Sequence, residues 1–284
     1  MTYSIVARDA ATGELGVAVQ SRAFGVGICA HARPCVGAVA TQSFTEQGYG
    51  PRGLDLLAAG ASPDDALAEL LAADDRRDFR QVAFVAADGR AAAHTGAACI
   101  PDCGDLTRDG ASAQGNMLAS TDVWPAMLEA FERSHGLLAE RLLTALDAGE
   151  AAGGDFRGRQ AATLVVVPGD PDAEPWTRSV DLRVDDHPEP LLELRRLLAM
   201  RLALWRRASF GPDTSVEEEI EVAQAAGLQP DEVAMSAALA ATAKGDADAV
   251  ADALRPYTHE PRWREAFERY ERLGFIPEGI RDRL

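Results

Sequence analysis

MTYSIVARDAATGELGVAVQSR, residues 1–22, holds two apolar runs around one turn signal. Tyr3, Ile5 and Ala7 alternate with Ser4, and Val6 sits between, so a strand begins at residue 2. Ala11-Thr12-Gly13 supplies a turn, and Leu15-Gly16-Val17-Ala18-Val19 reads as the second arm of a hairpin. Thr2 is then either an ordinary strand residue or a terminus held in place for use. Methionine is normally removed when residue 2 is small, which would leave Thr2 with a free α-amine. Such a threonine carries both groups that nucleophilic attack needs. Its hydroxyl attacks, and its own amine, with a pKa of about 7.7–8.0, takes the proton.

Composition narrows the partners. The 284 residues carry 45 acidic and 28 basic side chains, a formal net charge of -17. That balance repels phosphate backbones and anionic lipid, so nucleic acid and membrane are not expected partners. No apolar run reaches the ~20 residues of a membrane span. Arg8 and Asp9 interrupt the start too early for a secretory signal, so the expected location is cytoplasmic. Cys29, Cys35, Cys99 and Cys103 are then expected as reduced, buried thiols, with a four-thiolate zinc site as the minority reading. Lys244 is the single lysine, so the first two-thirds of the chain has no lysine to serve as a base.

Outward from the hairpin, residues 23–32 are small and Gly-rich. Residues 36–42 read as a strand. Gly50-Pro51 opens a helix through Leu57, and Ser62-Pro63-Asp64-Asp65 caps another that runs to Ala73. Residues 80–87 and 90–95 form a hairpin around Asp88-Gly89. A strand near 112–118, helices over 121–134 and 137–149, and strands at 162–167 and 178–184 follow. Runs of strands broken by paired helices indicate layered α+β. From Pro188 the texture changes to a Leu-rich helix up to Trp205, then helices near 215–226, 230–243, 246–255 and 262–273. Two domains are expected, 1–190 and a helical C-terminal module at 191–284.

Thr2, the Gly13 turn and the run GVAVQSRAFGVG resemble the opening of the N-terminal-nucleophile (Ntn) hydrolase superfamily. Over a longer stretch the chain resembles the domain of unknown function 1028 family, assigned to that superfamily. SIVARD, GVAVQSR, VGAVATQSF, YGPRGL, AAHTGA, QGNML, GGDFRGRQ and VDLRVDDHPEPL carry the likeness across roughly residues 1–195. The resemblance implies a four-layer αββα sandwich. WREAFERYERLGFIPEG, more loosely, is similar to a C-terminal extension described as peptidoglycan-binding. In the proteasome branch an Asp-Ser-Arg run supports the threonine; here the corresponding run is Gln20-Ser21-Arg22, and that branch's lysine has no counterpart.

The candidate residues follow. Arg22, charged at any working pH, either lowers the pKa of a neighbouring amine or polarises a carbonyl, or forms a structural ion pair. Asn116 is a candidate oxyanion donor, with Gly115 permitting close approach, or a strand-end turn. Arg159 and Gln160 lie among glycines before a buried strand and either suit a carboxylate or the N-terminus, or form a helix-to-strand loop paired with surface acids. Gln42, Glu46 and Tyr49 follow a strand end, where loops often carry binding groups. His94 ends a strand and is either structural or substrate-binding. Asp185-Asp186-His187-Pro188, with Asp181 before it, reads mainly as a cap and turn. A divalent-cation site there is the minority reading.

The leading expectation is an Ntn-type amidohydrolase acting on a small-molecule or peptide substrate, with Thr2 as nucleophile and no cofactor. The rival is a non-catalytic binding scaffold whose helical tail recognises a glycan, peptide or protein. A metal-dependent hydrolase ranks last. Either leading reading suits a homo-oligomer, a dimer or larger.

Overall fold

The first hairpin forms the centre of a six-stranded sheet. In the computed structural model, which describes residues 2–208, 224, 225 and 227–284, β1 (Thr2–Arg8) and β2 (Leu15–Ser21) pair antiparallel, with Tyr3 opposite Gln20. The turn is set by Asp9, whose Oδ1 accepts the Ala11 and Thr12 N–H groups at 2.9 Å each. Gly13 then takes a φ of 73°, which favours glycine.

Four more strands complete this sheet: β7 (Gly104–Arg108), β8 (Ala111–Asn116), β9 (Ala161–Val167) and β10 (Val180–Val184). Their order is β10-β9-β2-β1-β8-β7. A second sheet runs β3-β4-β5-β6, from β3 (Ala30–Arg33), β4 (Gly37–Ser43), β5 (Arg80–Ala86) and β6 (Ala91–Thr95). Every pairing is antiparallel. The protein is therefore mixed α+β.

Strand alternation assigns the two faces of each sheet. Val6, Val17, Val19, Val165 and Val167 of the larger sheet meet Ala38, Ala40, Ala83 and Val85 of the smaller. On the other face of the smaller sheet, Val39, Val82 and Phe84 pack against Tyr49, Leu54 and Leu57 of α1 (Tyr49–Ala58) and Leu67 and Leu70 of α2 (Pro63–Ala72). Helices α3 (Val123–Arg133) and α4 (Leu138–Ala151) lie against strands of the larger sheet. Close approach there needs glycine: a Cβ at Gly16 would stand 2.6 Å from Leu142 Cδ1.

The hairpins, the helix pairs and the Ser62 cap, whose Oγ accepts the Asp65 N–H at 3.1 Å, follow the sequence reading. Three features depart from it. Residues 30–33 and 104–108 are strands, β3 and β7, where no strand is expected from the sequence. The strand expected at 112–118 stops at Asn116, where Met117 turns with a φ of 55°. Cys35 is exposed in a turn, also at a φ of 55°, rather than buried; all four cysteines are free thiols.

Helix α5 (Pro190–Ala208) carries the chain onward, and the chain divides into two compact units after Leu198. In the second, helices Pro230–Lys244, Ala247–Leu254 and Pro261–Arg272 surround Ala238, Ala241, Val250, Leu254, Phe267, Ile276 and Ile280. Trp263 stacks on Phe267 at 5.8 Å between ring centres. The helix expected near 215–226 lies almost wholly outside the described residues. Among the described residues no helix is long and apolar enough to cross a membrane.

Candidate functional site

The space between the sheets changes character along its length. At one end it is valine and alanine. At the other it is a buried polar network. Ser4 Oγ donates to Gln42 Oε1 at 2.7 Å, and Gln114 Nε2 donates to Ser4 Oγ at 2.6 Å. Gln42 Nε2 and Asn116 Nδ2 both donate to Gln81 Oε1, at 2.7 and 2.9 Å. Gln81 Nε2 donates onward to Gly115 O, Thr95 Oγ1 and Gly104 O at 2.8–3.1 Å. Ser4, Gln42, Gln81 and Gln114 are fully buried, so each amide depends on these partners.

Thr2 stands at this polar end. It is 6% exposed, and its Oγ1 donates to Ser21 Oγ at 3.2 Å. Its carbonyl accepts the Gln42 amide at 3.3 Å. In the β1–β8 register it lies directly opposite Asn116, which puts the two side chains on one face about 5 Å apart at Cβ. Ser21 was visible to sequence reasoning only as part of the Gln20-Ser21-Arg22 run. Its signal is strand alternation: it shares a face with Val17 and Val19, whereas Gln20 faces the other way, beside Tyr3. The amide at position 20 is therefore not on the Thr2 face. It is fully buried without a hydrogen-bond partner among the described residues.

The remaining candidates fall into separate groups. Arg22 bonds Gln160 through its guanidinium, and its backbone N–H donates to Asp155 Oδ2 at 2.9 Å. Gln160 in turn donates to Asp186 at 2.9 Å. Arg159 pairs with Glu189 at 2.7 Å and Glu150 at 3.6 Å. Glu150 also accepts the Tyr3 hydroxyl at 2.8 Å; burial first, then this carboxylate, holds the Tyr3 pKa well above its ordinary value. Glu46 accepts the Gly48 N–H at 3.0 Å and faces Arg52. His94 Nε2 lies 3.0 Å from the Arg77 carbonyl. Asp185 offers its carbonyl to Gly25 N–H, and His187 Nδ1 accepts the Glu189 N–H. Asp181 faces Arg183 at 3.9 Å. No group of three potential metal ligands comes together among the described residues.

Tyr49 belongs to a supporting cluster. Its hydroxyl donates to Asp74 Oδ2 at 3.2 Å, and burial first, then Asp74, pushes its pKa up to about 12. Asp74 is bridged to Arg80 at 2.7 Å, which holds its carboxyl at about 2. Arg80 also donates to the Phe44 carbonyl at 2.6 Å. Arg80→Met should lower stability by about 3 kcal/mol, because it strands a largely buried carboxylate. The Asp74 contribution is fully present above the ordinary value of 3.8 and is lost as pH falls towards 2. Urea unfolding at pH 7 and pH 3 should therefore show a smaller acid loss in the variant. An equal loss in both proteins would contradict this assignment.

Around this end the loops expose apolar side chains. Phe24 follows β2, Phe44 follows β4, Phe79 precedes β5, Ile100 lies between β6 and β7, and Phe156 precedes β9. Phe24 and Phe156 are 74% and 62% exposed. Phe44 and Phe79 meet edge to face at 5.5 Å, with Arg76 against both rings. Cys29 lies behind this rim, 3.9 Å from Thr45 Oγ1, with its thiol pushed up to about 11 chiefly by burial.

Comparison with known proteins agrees with this architecture. A family model described as a family of unknown function, DUF1028, matches residues 2–194. The crystal structure of protein SPO2555 from Silicibacter pomeroyi, a DUF1028 protein, is 34% identical in sequence. The two align with a TM-score of 0.64 over 74% of this chain and 87% of that one. No curated protein matches. With its first 194 residues covered almost completely by the family model, the chain belongs to DUF1028.

Proposed function

We propose that the chain is an amidohydrolase of the Ntn type, with Thr2 as nucleophile once Met1 is removed. The observation that carries this is the position of Thr2. It heads a central strand at the polar end of the inter-sheet space, opposite Asn116 and bonded to Ser21. Two sheets with helices on their outer faces fit the four-layer αββα arrangement of that superfamily.

In the proposed step the Thr2 α-amine takes the proton from Oγ1 as Oγ1 adds to an amide carbonyl. The amide carbon becomes tetrahedral, and its oxygen takes the negative charge. Asn116 Nδ2 has one hydrogen engaged by Gln81 and a second to offer that oxyanion. The amine returns its proton to the leaving nitrogen, and water then releases the acyl group. In this step Ser21 donates its own hydroxyl proton to Oγ1, which leaves the Thr2 proton free to pass to the amine. Arg22, bonded to Gln160, and Arg159, paired with Glu189 and Glu150, would orient the nucleophile or a substrate carboxylate rather than transfer a proton. The apolar rim suits a substrate with an apolar group beside its amide.

Intact mass and N-terminal sequencing of the protein from its native host test the reading. A chain beginning at Thr2, labelled by a β-lactone at that residue, supports it. A chain that retains Met1 overturns it and favours the binding scaffold, for which the exposed rim is the supporting observation.

A further inference from the structure

A second region gathers positive charge in an acidic protein. The edge strands β3 and β10 lie on the same side of their sheets, and between them opens a cleft of about 600 Å³, within the size range of small-molecule sites. His31, Arg33, Trp176, Arg178 and Arg183 are among the residues that line it, with Asp181 as the one acidic side chain. Thr2, Ser21 and Asn116 are not among its lining residues.

The charges there are poorly neutralised. Arg33 is paired with Asp55 at 2.7 Å. Arg183 has Asp181 at 3.9 Å, too long for a hydrogen bond. Arg178 donates to the carbonyls of Pro175 and Thr177 at 3.3 and 3.0 Å and has no carboxylate partner among the described residues. Two guanidiniums thus share one distant carboxylate. In a chain with 45 acidic side chains, such a concentration costs repulsion that a bound anion would relieve.

The walls are shaped to hold these groups. A Cβ at Gly27 would stand 2.8–2.9 Å from Arg183 Nε, Cδ and Cζ, so the Arg183 side chain packs directly against this glycine. His31 Nε2 is 3.2 Å from the Ile28 carbonyl. Burial first, then Arg183 and Arg178, lowers the His31 pKa and favours the neutral ring. Trp176 is 74% exposed on the loop between β9 and β10, two residues before Arg178. It offers a flat apolar face next to the cations.

We propose that this cleft binds a small ligand that joins a planar ring to a carboxylate or phosphate. The anion sits between Arg178 and Arg183, and the ring lies on Trp176. Arginine suits this role because its fork matches either anion in two-point contact.

Calorimetric titration of the full chain with indole-3-acetate and with adenosine monophosphate tests it. At least one should bind with a Kd below about 1 mM. Arg183→Gln should weaken that binding about tenfold or more, as expected for a lost charged hydrogen bond. Trp176→Ala should weaken it severalfold, and Arg90→Gln, an exposed arginine paired with Asp88, should change nothing. Binding of adenosine monophosphate alone identifies a phosphate ligand; binding of indole-3-acetate alone identifies a carboxylate. Arg183 and Trp176 are half or more exposed, so both variants should fold, and Arg178→Gln serves as the second cation variant. No binding of either probe up to about 10 mM overturns the proposal. So does equal affinity in the native protein and the variants.

Discussion

Thr2→Ala should abolish amide hydrolysis, by about a thousandfold or more, while the protein stays folded. The Thr2 hydroxyl bonds Ser21 at 3.2 Å, and the loss of that bond costs about 1 kcal/mol. The strand itself is held by pairing on both sides and by the buried Tyr3 and Ile5 that follow. Alanine is also small enough for Met1 removal, so the variant removes the hydroxyl and leaves the amine. Thr2→Ser keeps both and should retain activity. The rate should rise with pH and level off above about 8, because the amine acts as base only when neutral. Turnover of a panel of peptide and anilide substrates, with far-UV circular dichroism as the folding control, decides the matter. Hydrolysis that persists in Thr2→Ala would exclude Thr2 as nucleophile.

The parts of the fold that were legible in the sequence are those written in local chemistry. Ala11-Thr12-Gly13 marks the first turn, Asp88-Gly89 the second hairpin, and Ser62-Pro63 a helix start. β3 was not legible because Ala30-His31-Ala32-Arg33 has no β-branched residue and its buried face is only two alanines, Ala30 and Ala32. Its pairing with β4 makes it a strand. β7 is half-exposed and sits at a sheet edge, where burial leaves little pattern. The candidate site divides in the same way. Thr2 and Asn116 stand out by position and type, and the register brings them together. Gln42 was read as a loop residue able to bind substrate, yet its amide bonds Ser4, Gln81 and the Thr2 carbonyl. Gln81 carried no local signal, since a glutamine early in a strand looks like a solvated one. Its importance comes from contacts with residues 34 and 39 positions away.

Gln81→Leu should destabilise the protein by about 4 kcal/mol, although the substitution makes a buried residue more apolar. Gln81 is fully buried, and the hydrophobic gain from leucine is outweighed by the groups it abandons. Gln42 Nε2 and Asn116 Nδ2 lose their shared acceptor, and Gly115 O loses a donor at 2.8 Å. Each buried polar group left without a partner costs about 1–3 kcal/mol, and partial re-pairing among three of them leads to the figure given. Gln114→Leu provides the scale. Gln114 donates to Ser4 and accepts from Ser112, outside the Gln81 hub, so its loss should cost about 2 kcal/mol. The two variants should also differ in their effect on chemistry. Gln81 fixes the Asn116 amide that faces Thr2, and Gln114 does not touch it. Gln81→Leu should therefore lower kcat more than Gln114→Leu does. Urea unfolding measures the stability difference directly. A loss below about 1 kcal/mol for Gln81→Leu would mean that water replaces the lost partners. The polar end of the inter-sheet space would then be wet and open to small ligands, which is the property a site beside Thr2 needs.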